Sequence, residues 1–313
     1  MTCKIIIDCD PGQDDAVALL LAFASPDELD LLGITTVGGN VPLELTHRNA
    51  RMMCDIAGFQ HVPVHAGCGE PLVRPLVTAE AIHGETGING IDVFEPETPL
   101  QDEHAVSYIV RTLIEADEPI TLVPTGPLTN IAAAIGRAPE ILPMIEQIVL
   151  MGGAMREGGN RTPSAEFNIL VDPHAANIVV GCGRPITQMG LDVTHQVLST
   201  EDRVERINAL GNPVATATAG MLSFFDRFDT KKYKSKGAPL HDPCTVAWLI
   251  QPGLFEGKEC NVAVETESEL TMGHTAVDFW HVTDRPINVN WIYGVDADGF
   301  YDLLIERLAR FGE

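Results

Sequence analysis

Short β-branched apolar runs alternate with helical patterns along the first two thirds of this chain, and that rhythm limits its fold more than any other feature. Residues 4–9, 31–37, 62–66, 120–124, 147–151 and 185–189 read as strands. Between them the spacing predicts helices over 14–24, 43–57 (stopped by Gly58), 105–116 and 173–181. This βαβα order calls for an α/β protein with an open, mostly parallel central sheet flanked by helices. The last third changes character. Residues 200–228 look helical, 260–265 and 287–293 look like strands, and 301–311 looks like a closing amphipathic helix. No repeat, low-complexity tract or linker interrupts the pattern. The expectation is one domain over 1–313 with a mainly helical insertion at about 195–240.

Composition narrows the function classes. A chain of 313 residues, 45% hydrophobic and 20% charged, has ample material for a core. Its net charge is −24, from 20 Lys and Arg against 44 Asp and Glu. Nucleic acid and anionic membranes need basic patches, so neither is an expected partner. The longest wholly apolar run, 16–24, is nine residues, against the ~20 needed to cross a bilayer. An aspartate at position 8 breaks any leader-like core. The seven cysteines are odd in number and form no Cys-x-x-Cys pair. A reduced, cytoplasmic protein is the expectation, with several cysteines as small core residues.

The most informative stretch is Ile5-Ile6-Ile7-Asp8-Cys9-Asp10-Pro11-Gly12-Gln13-Asp14-Asp15. A buried strand runs straight into four aspartates, and no Lys or Arg occurs between positions 5 and 47. A helix N-terminus offers about half a positive charge, enough for one carboxylate rather than four. Two acids there would be an N-cap and a first-turn carboxylate, with Asp8 and Asp10 in solvent. Four at the carboxyl end of a buried strand, where open α/β sheets place ligands, point to a divalent cation. All-oxygen ligands mean Ca²⁺ or Mg²⁺ rather than zinc. An EF-hand is excluded by register, since its sixth position would be Gln13 and its twelfth Leu19.

Other polar features fall at predicted strand ends. Thr125-Gly126-Pro127-Leu128-Thr129-Asn130 turns from a strand into a new helix and could offer a carbonyl to a hard cation. Gly38-Gly39-Asn40, Gly152-Gly153 and Gly158-Gly159-Asn160 permit close backbone approach. Glu166-Phe167-Asn168 combines acid, aromatic and amide, which suits hydroxyl recognition with stacking. His241-Asp242 precedes the apolar run 246–250, and His83 lies in a glycine-containing loop. A dinucleotide fingerprint, a P-loop and a Gly-x-Ser-x-Gly elbow are all missing.

Together these motifs resemble the nucleoside hydrolases, the inosine–uridine preferring group and its bacterial ribonucleoside hydrolase branch. The segment from Asp8 to Asp15 is similar to the family fingerprint DxDPGxDD. Residues 124–130, Met151-Gly152-Gly153, 165–168 with Val171-Asp172-Pro173, Gly190-Leu191-Asp192-Val193-Thr194 and 239–243 follow in the family order. The resemblance covers nearly the whole chain. It implies a Rossmann-like open α/β fold with a Ca²⁺ ion at the strand ends. By that resemblance Asp10, Asp15, the carbonyl of Thr125 and Asp242 hold the ion. Asp14, Asn40, Asn160, Glu166 and Asn168 grip the ribose, and Phe167, Met151 and His83 lie near sugar or base. A homotetramer or homodimer is also implied.

The chemistry of the residues agrees. Hydrolysis of an N-glycosidic bond passes through a cationic, oxocarbenium-like sugar, which an anionic cleft stabilises. Asp10, touching both cation and water, is the expected general base, and His241 the expected acid for the departing base. Gly87-Ile88-Asn89-Gly90 departs from the family's usual Gly-Leu-Asp/Gly-Gly on the base side. Tyr233 falls in the variable lid segment, where a tyrosine often serves the pyrimidine-preferring branch. The wider similarity makes uridine and cytidine the first expected substrates, with a purine-preferring or broad-specificity enzyme as the alternative. A Mg²⁺-dependent phosphohydrolase of the haloacid dehalogenase type is a more distant rival, because Gly12 stands where it wants Thr or Val. A non-catalytic sugar or nucleoside binder has no need of Asp10 beside a metal.

Overall fold

Three consecutive isoleucines leave the first strand no polar face, so it must sit inside a sheet covered on both sides. The computed structural model describes residues 2–233 and 236–312, with the side chains of 225–233 outside that description. The strands in chain order are β1 (Cys3–Cys9), β2 (Leu29–Thr36), β3 (Val64–Ala66), β4 (Leu100–Gln101), β5 (Ile120–Pro124), β6 (Ile145–Met151) and β7 (Ile186–Met189). They continue as β8 (Leu198–Thr200), β9 (Gly237–Pro239), β10 (Phe255–Cys260), β11 (Val262–Val264), β12 (Thr275–Val277) and β13 (Val289–Val295). Nine of them form one sheet in the order β10-β13-β7-β6-β5-β1-β2-β3-β4. All its pairs are parallel except β10 with β13. The expected mostly parallel architecture is the one observed.

Strand β1 lies mid-sheet. Its alternation sends Ile5 and Ile7 into one core and Ile6 into the other. The helix Gln13–Phe23 follows at once and is buried over its whole length. Its sequence has no polar face beyond the first turn, so it packs between the sheet and an outer layer of Pro213–Tyr233, Pro243–Ile250 and Ala297–Ala309. A buried helix with an acidic first turn therefore delivers its carboxylates to the protein interior. The chain lays β2, β3 and β4 to one side of β1, then returns to place β5, β6 and β7 on the other. Strand order thus reverses at the β1–β5 junction, and the loops leaving those strands diverge there around a crevice.

The last third differs in detail from the periodicity. Residues 200–228 are two helices, Glu201–Asn208 and Pro213–Tyr233, because Gly211 takes a left-handed turn at φ 71°. The antiparallel pair β8 and β9 brackets them. Residues 260–265 are likewise not one strand. Pairing with β13 ends at Cys260, and β11 leaves to pair with β12, while Asn261 Nδ2 between them donates to Pro286 O at 2.7 Å. The final helix starts at Ala297, earlier than expected, because Asp296 caps it by accepting from Gly299 N at 3.0 Å. No helix among the described residues is long and apolar enough to cross a membrane.

Candidate active site

The site is built from the ends of β1, β2, β5 and β6. Asp10 leaves β1 and turns its carboxylate between two loops, where Asn40 N donates to Oδ2 at 2.6 Å. A Cβ on Gly39 would strike Oδ2 and one on Gly126 would strike Oδ1, so both positions must be glycine for the loops to close on this side chain. Asp15, in the first helical turn, accepts from Gly12 N at 3.0 Å, Thr125 Oγ1 at 2.8 Å and Asn40 Nδ2 at 3.3 Å. Asp242 arrives from the far end of the sequence, directly before the helix Pro243–Ile250. Carboxylate oxygens of Asp14, Asp15 and Asp242 lie within 4.8 Å of one another, all three residues buried.

Burial, and then the neighbouring carboxylates, push Asp10 and Asp242 well above the usual carboxylate range and lift Asp14 to about 7. Burial also raises Asp15. Among the described residues no Lys or Arg lines the cleft to offset this repulsion. Asp10 Oδ1 and Asp14 Oδ1 are buried without a hydrogen-bond partner. Orphaned carboxylate oxygens in a set of hard donors fit a divalent cation and fit nothing apolar. Asp8 is different. It is buried behind the cluster, accepts from Thr35 Oγ1 at 2.6 Å and Asn130 Nδ2 at 2.8 Å, and ties strand ends together.

Beside the acids lies a set of amide and carboxylate groups tied to one another by hydrogen bonds. Glu166 caps the short helix Phe167–Val171 and accepts from Asn168 N at 2.9 Å, Gly153 N at 3.0 Å and Ile169 N at 3.1 Å. Asn168 Nδ2 donates to the Thr125 carbonyl at 2.7 Å and Met151 O at 3.3 Å, joining the loops after β5 and β6. Asn160 Oδ1 receives Phe167 N at 2.9 Å. These groups open onto one cleft of about 620 Å³, its open mouth included, lined also by Asp14, Asn40, His83 and His241.

Every described residue that the sequence nominates for the site reaches this cleft or its immediate wall; Asp10 and Asp15 stand behind the lining. Tyr233 is the exception, since its side chain lies outside the described residues. Asn89 does not line the cleft. It donates to the His83 carbonyl at 2.5 Å, so the departure at 87–90 supports the loop that carries His83. His195 lines the cleft, although nothing in the sequence singles it out as a site residue. Its Nδ1 meets Glu157 Oε2 at 3.2 Å, and its ring lies 5.8 Å from that of His241. Its one signal is its place directly after the Gly190–Thr194 motif. Burial, with His195 and His83 nearby, pushes His241 down to about 3, so its ring is neutral at neutral pH. Thr194 Oγ1 stands 2.7 Å from its Nδ1.

A crevice at the strand-order reversal, lined by buried carboxylates and by the amides of Asn40, Asn160 and Asn168, is the candidate active site. The chain belongs to the inosine-uridine preferring nucleoside hydrolase family, whose model it matches over residues 5–302. It is 49% identical over 312 residues to the pyrimidine-specific ribonucleoside hydrolase RihA of Photobacterium profundum, covering 99% of this chain and 100% of the relative. An uncharacterized protein of Schizosaccharomyces pombe is 50% identical over 309 residues, 98% of this chain and 99% of that protein. Among solved structures, a purine-preferring ribonucleoside hydrolase from Gardnerella vaginalis superimposes with a TM-score of 0.91 at 34% identity over 98% of both chains.

Proposed function

We propose that this enzyme is a Ca²⁺-dependent ribonucleoside hydrolase that favours uridine and cytidine. The observation that carries the reading is the meeting of the Asp14, Asp15 and Asp242 carboxylates, with Asp10 interacting from behind them, beside the amides of one cleft. Asp10, Asp15, Asp242 and the Thr125 carbonyl would hold the cation. When bound, it would orient and acidify the attacking water and offset the carboxylate repulsion. The preference for pyrimidines rests on the similarity to RihA enzymes at nearly half identity over the full chain.

In the reaction, the water oxygen bonds to C1′, the C1′–N bond breaks, and its electron pair leaves with the base. Asp10 takes the water proton, since it is buried against the cluster with Oδ1 unpartnered. Asp14, Asn40, Asn160, Glu166 and Asn168 hold the ribose hydroxyls, and the anionic wall stabilises the positive charge growing on the sugar. His241 faces the departing base as a neutral ring. In the tautomer where Thr194 Oγ1 donates to Nδ1, the Nε2–H gives the departing base a hydrogen bond that stabilises it as an anion, which then takes its proton from solvent. Phe167 and Met151 exclude water beside the sugar. A homotetramer or homodimer, read by light scattering, completes the proposal.

The test is ribose release from uridine, measured as reducing sugar, with and without chelator and without added phosphate. Release that chelator abolishes and Ca²⁺ restores supports the reading. Release from inosine alone would transfer the preference to purines, and release insensitive to chelator would remove the cation.

A further inference from the structure

Residues 280–287, between β12 and β13, are exposed at every position. Trp280 is 71% exposed and Val282 82%. The two side chains line one open groove with Met155, Ala276, Val277 and Arg285. A lone apolar residue in water is ordinary, whereas an apolar groove of this kind marks an interaction surface. The segment is firmly held. Asp278 accepts from Val282 N at 2.7 Å, Thr283 N at 2.9 Å and Thr283 Oγ1 at 2.6 Å, which closes the turn. Inside that turn His281 takes φ 53°, the one non-glycine residue in the left-handed region among the described residues. Arg156 and Lys258 lie over the Trp280 ring, 6.0 Å and 5.0 Å from its centroid, and both also lie over Phe279. A strained backbone that turns a tryptophan and a valine into water contributes little to the stability of a single chain.

We propose that a second copy of this chain docks on the 280–285 segment in a two-fold contact that buries Trp280 and Val282. Charge selects the occupant. Arg156, Lys258 and Arg285 gather around the Phe279–Trp280 pair on a chain that carries 44 acidic residues against 20 basic ones. An acidic protein surface complements that patch, and a second copy supplies one. Asp284 and Arg285 are neighbours, both exposed and, among the described residues, outside the chain's own ion pairs. A two-fold contact places the same patch on both sides, so Arg285 of one copy meets Asp284 of the partner subunit and the reverse. This gives the proposed homodimer or homotetramer a surface, and it is independent of the chemistry in the cleft.

Sedimentation equilibrium of the full chain at micromolar concentration reads the contact without turnover. The wild type is expected to sediment as a dimer or a tetramer. Trp280→Ser combined with Val282→Ser is expected to halve that mass, and since both residues are exposed the fold itself loses little. Arg285→Asp sets acid against acid across the two-fold and is expected to raise the dissociation constant at least ~10-fold. Adding Asp284→Arg to that variant swaps the pair and restores opposite charges. The swapped protein is expected within about threefold of the wild-type constant, a rescue that general damage to the segment would not give. A monomeric wild type overturns the proposal, as does an unchanged mass in the Trp280 and Val282 variant. A swapped protein as weak as Arg285→Asp overturns the two-fold pairing. Should the apolar variant fail to fold, the charge pair still decides. A monomer that binds vesicles of neutral phospholipid, and loses them with Trp280→Ser, would overturn the proposal in favour of a lipid surface.

Discussion

Replacing Asp10 by Asn separates substrate binding from chemistry, because the structure dictates how the new amide must sit. Asn40 N donates to Oδ2 at 2.6 Å, so the amide oxygen has to take that position. The amide nitrogen then falls where Oδ1 was, against Gly126 and in place of the unpartnered oxygen proposed to take the water proton. An amide there can neither accept that proton nor ligate a cation. General-base catalysis contributes roughly 10²–10⁴ in rate, so kcat on uridine is expected to fall at least ~10³-fold, about 4 kcal/mol in the barrier. KM is expected to stay within about threefold, because Asn40, Asn160, Glu166 and Asn168 keep their positions. Stability moves the other way. Asp10 is buried among like charges, so at pH 8 with chelator present the amide variant is expected to melt above the wild type. Steady-state ribose release and scanning calorimetry read both effects. A kcat within tenfold of wild type refutes the assignment of the base, and a lower melting point in chelator refutes the account of repulsion.

Cation affinity should weaken as pH falls. Asp14, whose carboxylate lies beside those of Asp15 and Asp242, takes up a proton near pH 7 in the cation-free protein, and the charge of a cation bound there disfavours that proton. The Ca²⁺ dissociation constant by calorimetry is expected to rise about fivefold from pH 7 to pH 6; equal values at pH 6 and 8 would contradict this. Thr125→Val removes the hydroxyl that donates to Asp15 at 2.8 Å, and should weaken Ca²⁺ roughly 10-fold or more, with uridine hydrolysis recovering at high Ca²⁺. 2′-Deoxyuridine leaves buried acceptors of the ribose wall unpaired, and its kcat/KM is expected at least ~10³ below that of uridine. Asp172 accepts from Leu72 N and Thr129 Oγ1 at 2.8 Å and caps the helix Pro173–Val180 through Ala175 N at 2.9 Å. Asp172→Ala should therefore cost about 3 kcal/mol, read as a lower denaturation midpoint.

Much of this enzyme is legible in the chain itself, because some signals are local. Ile5-Ile6-Ile7 can only be buried on both faces, so β1 belongs inside a sheet wherever its neighbours come from. Four aspartates with no nearby cation demand a counter-ion in any fold that buries them. The motif order identifies the family, and with it which of the scattered residues matter. The sequence is silent where the answer depends on which parts meet. Asp242 joins Asp14 and Asp15 across more than two hundred positions only because the helix Pro243–Ile250 packs against Gln13–Phe23. Asp8 and Asp10 are two residues apart and read alike, yet one is pinned by Thr35 and Asn130 behind the cluster and the other is wedged between Gly39 and Gly126. His195 carries no signal beyond its neighbours. Strand periodicity and helix propensity act over a few residues, so the sequence determined the elements and the acidity of their ends. The strand order, which reverses beside β1, decided which of those ends share a cleft.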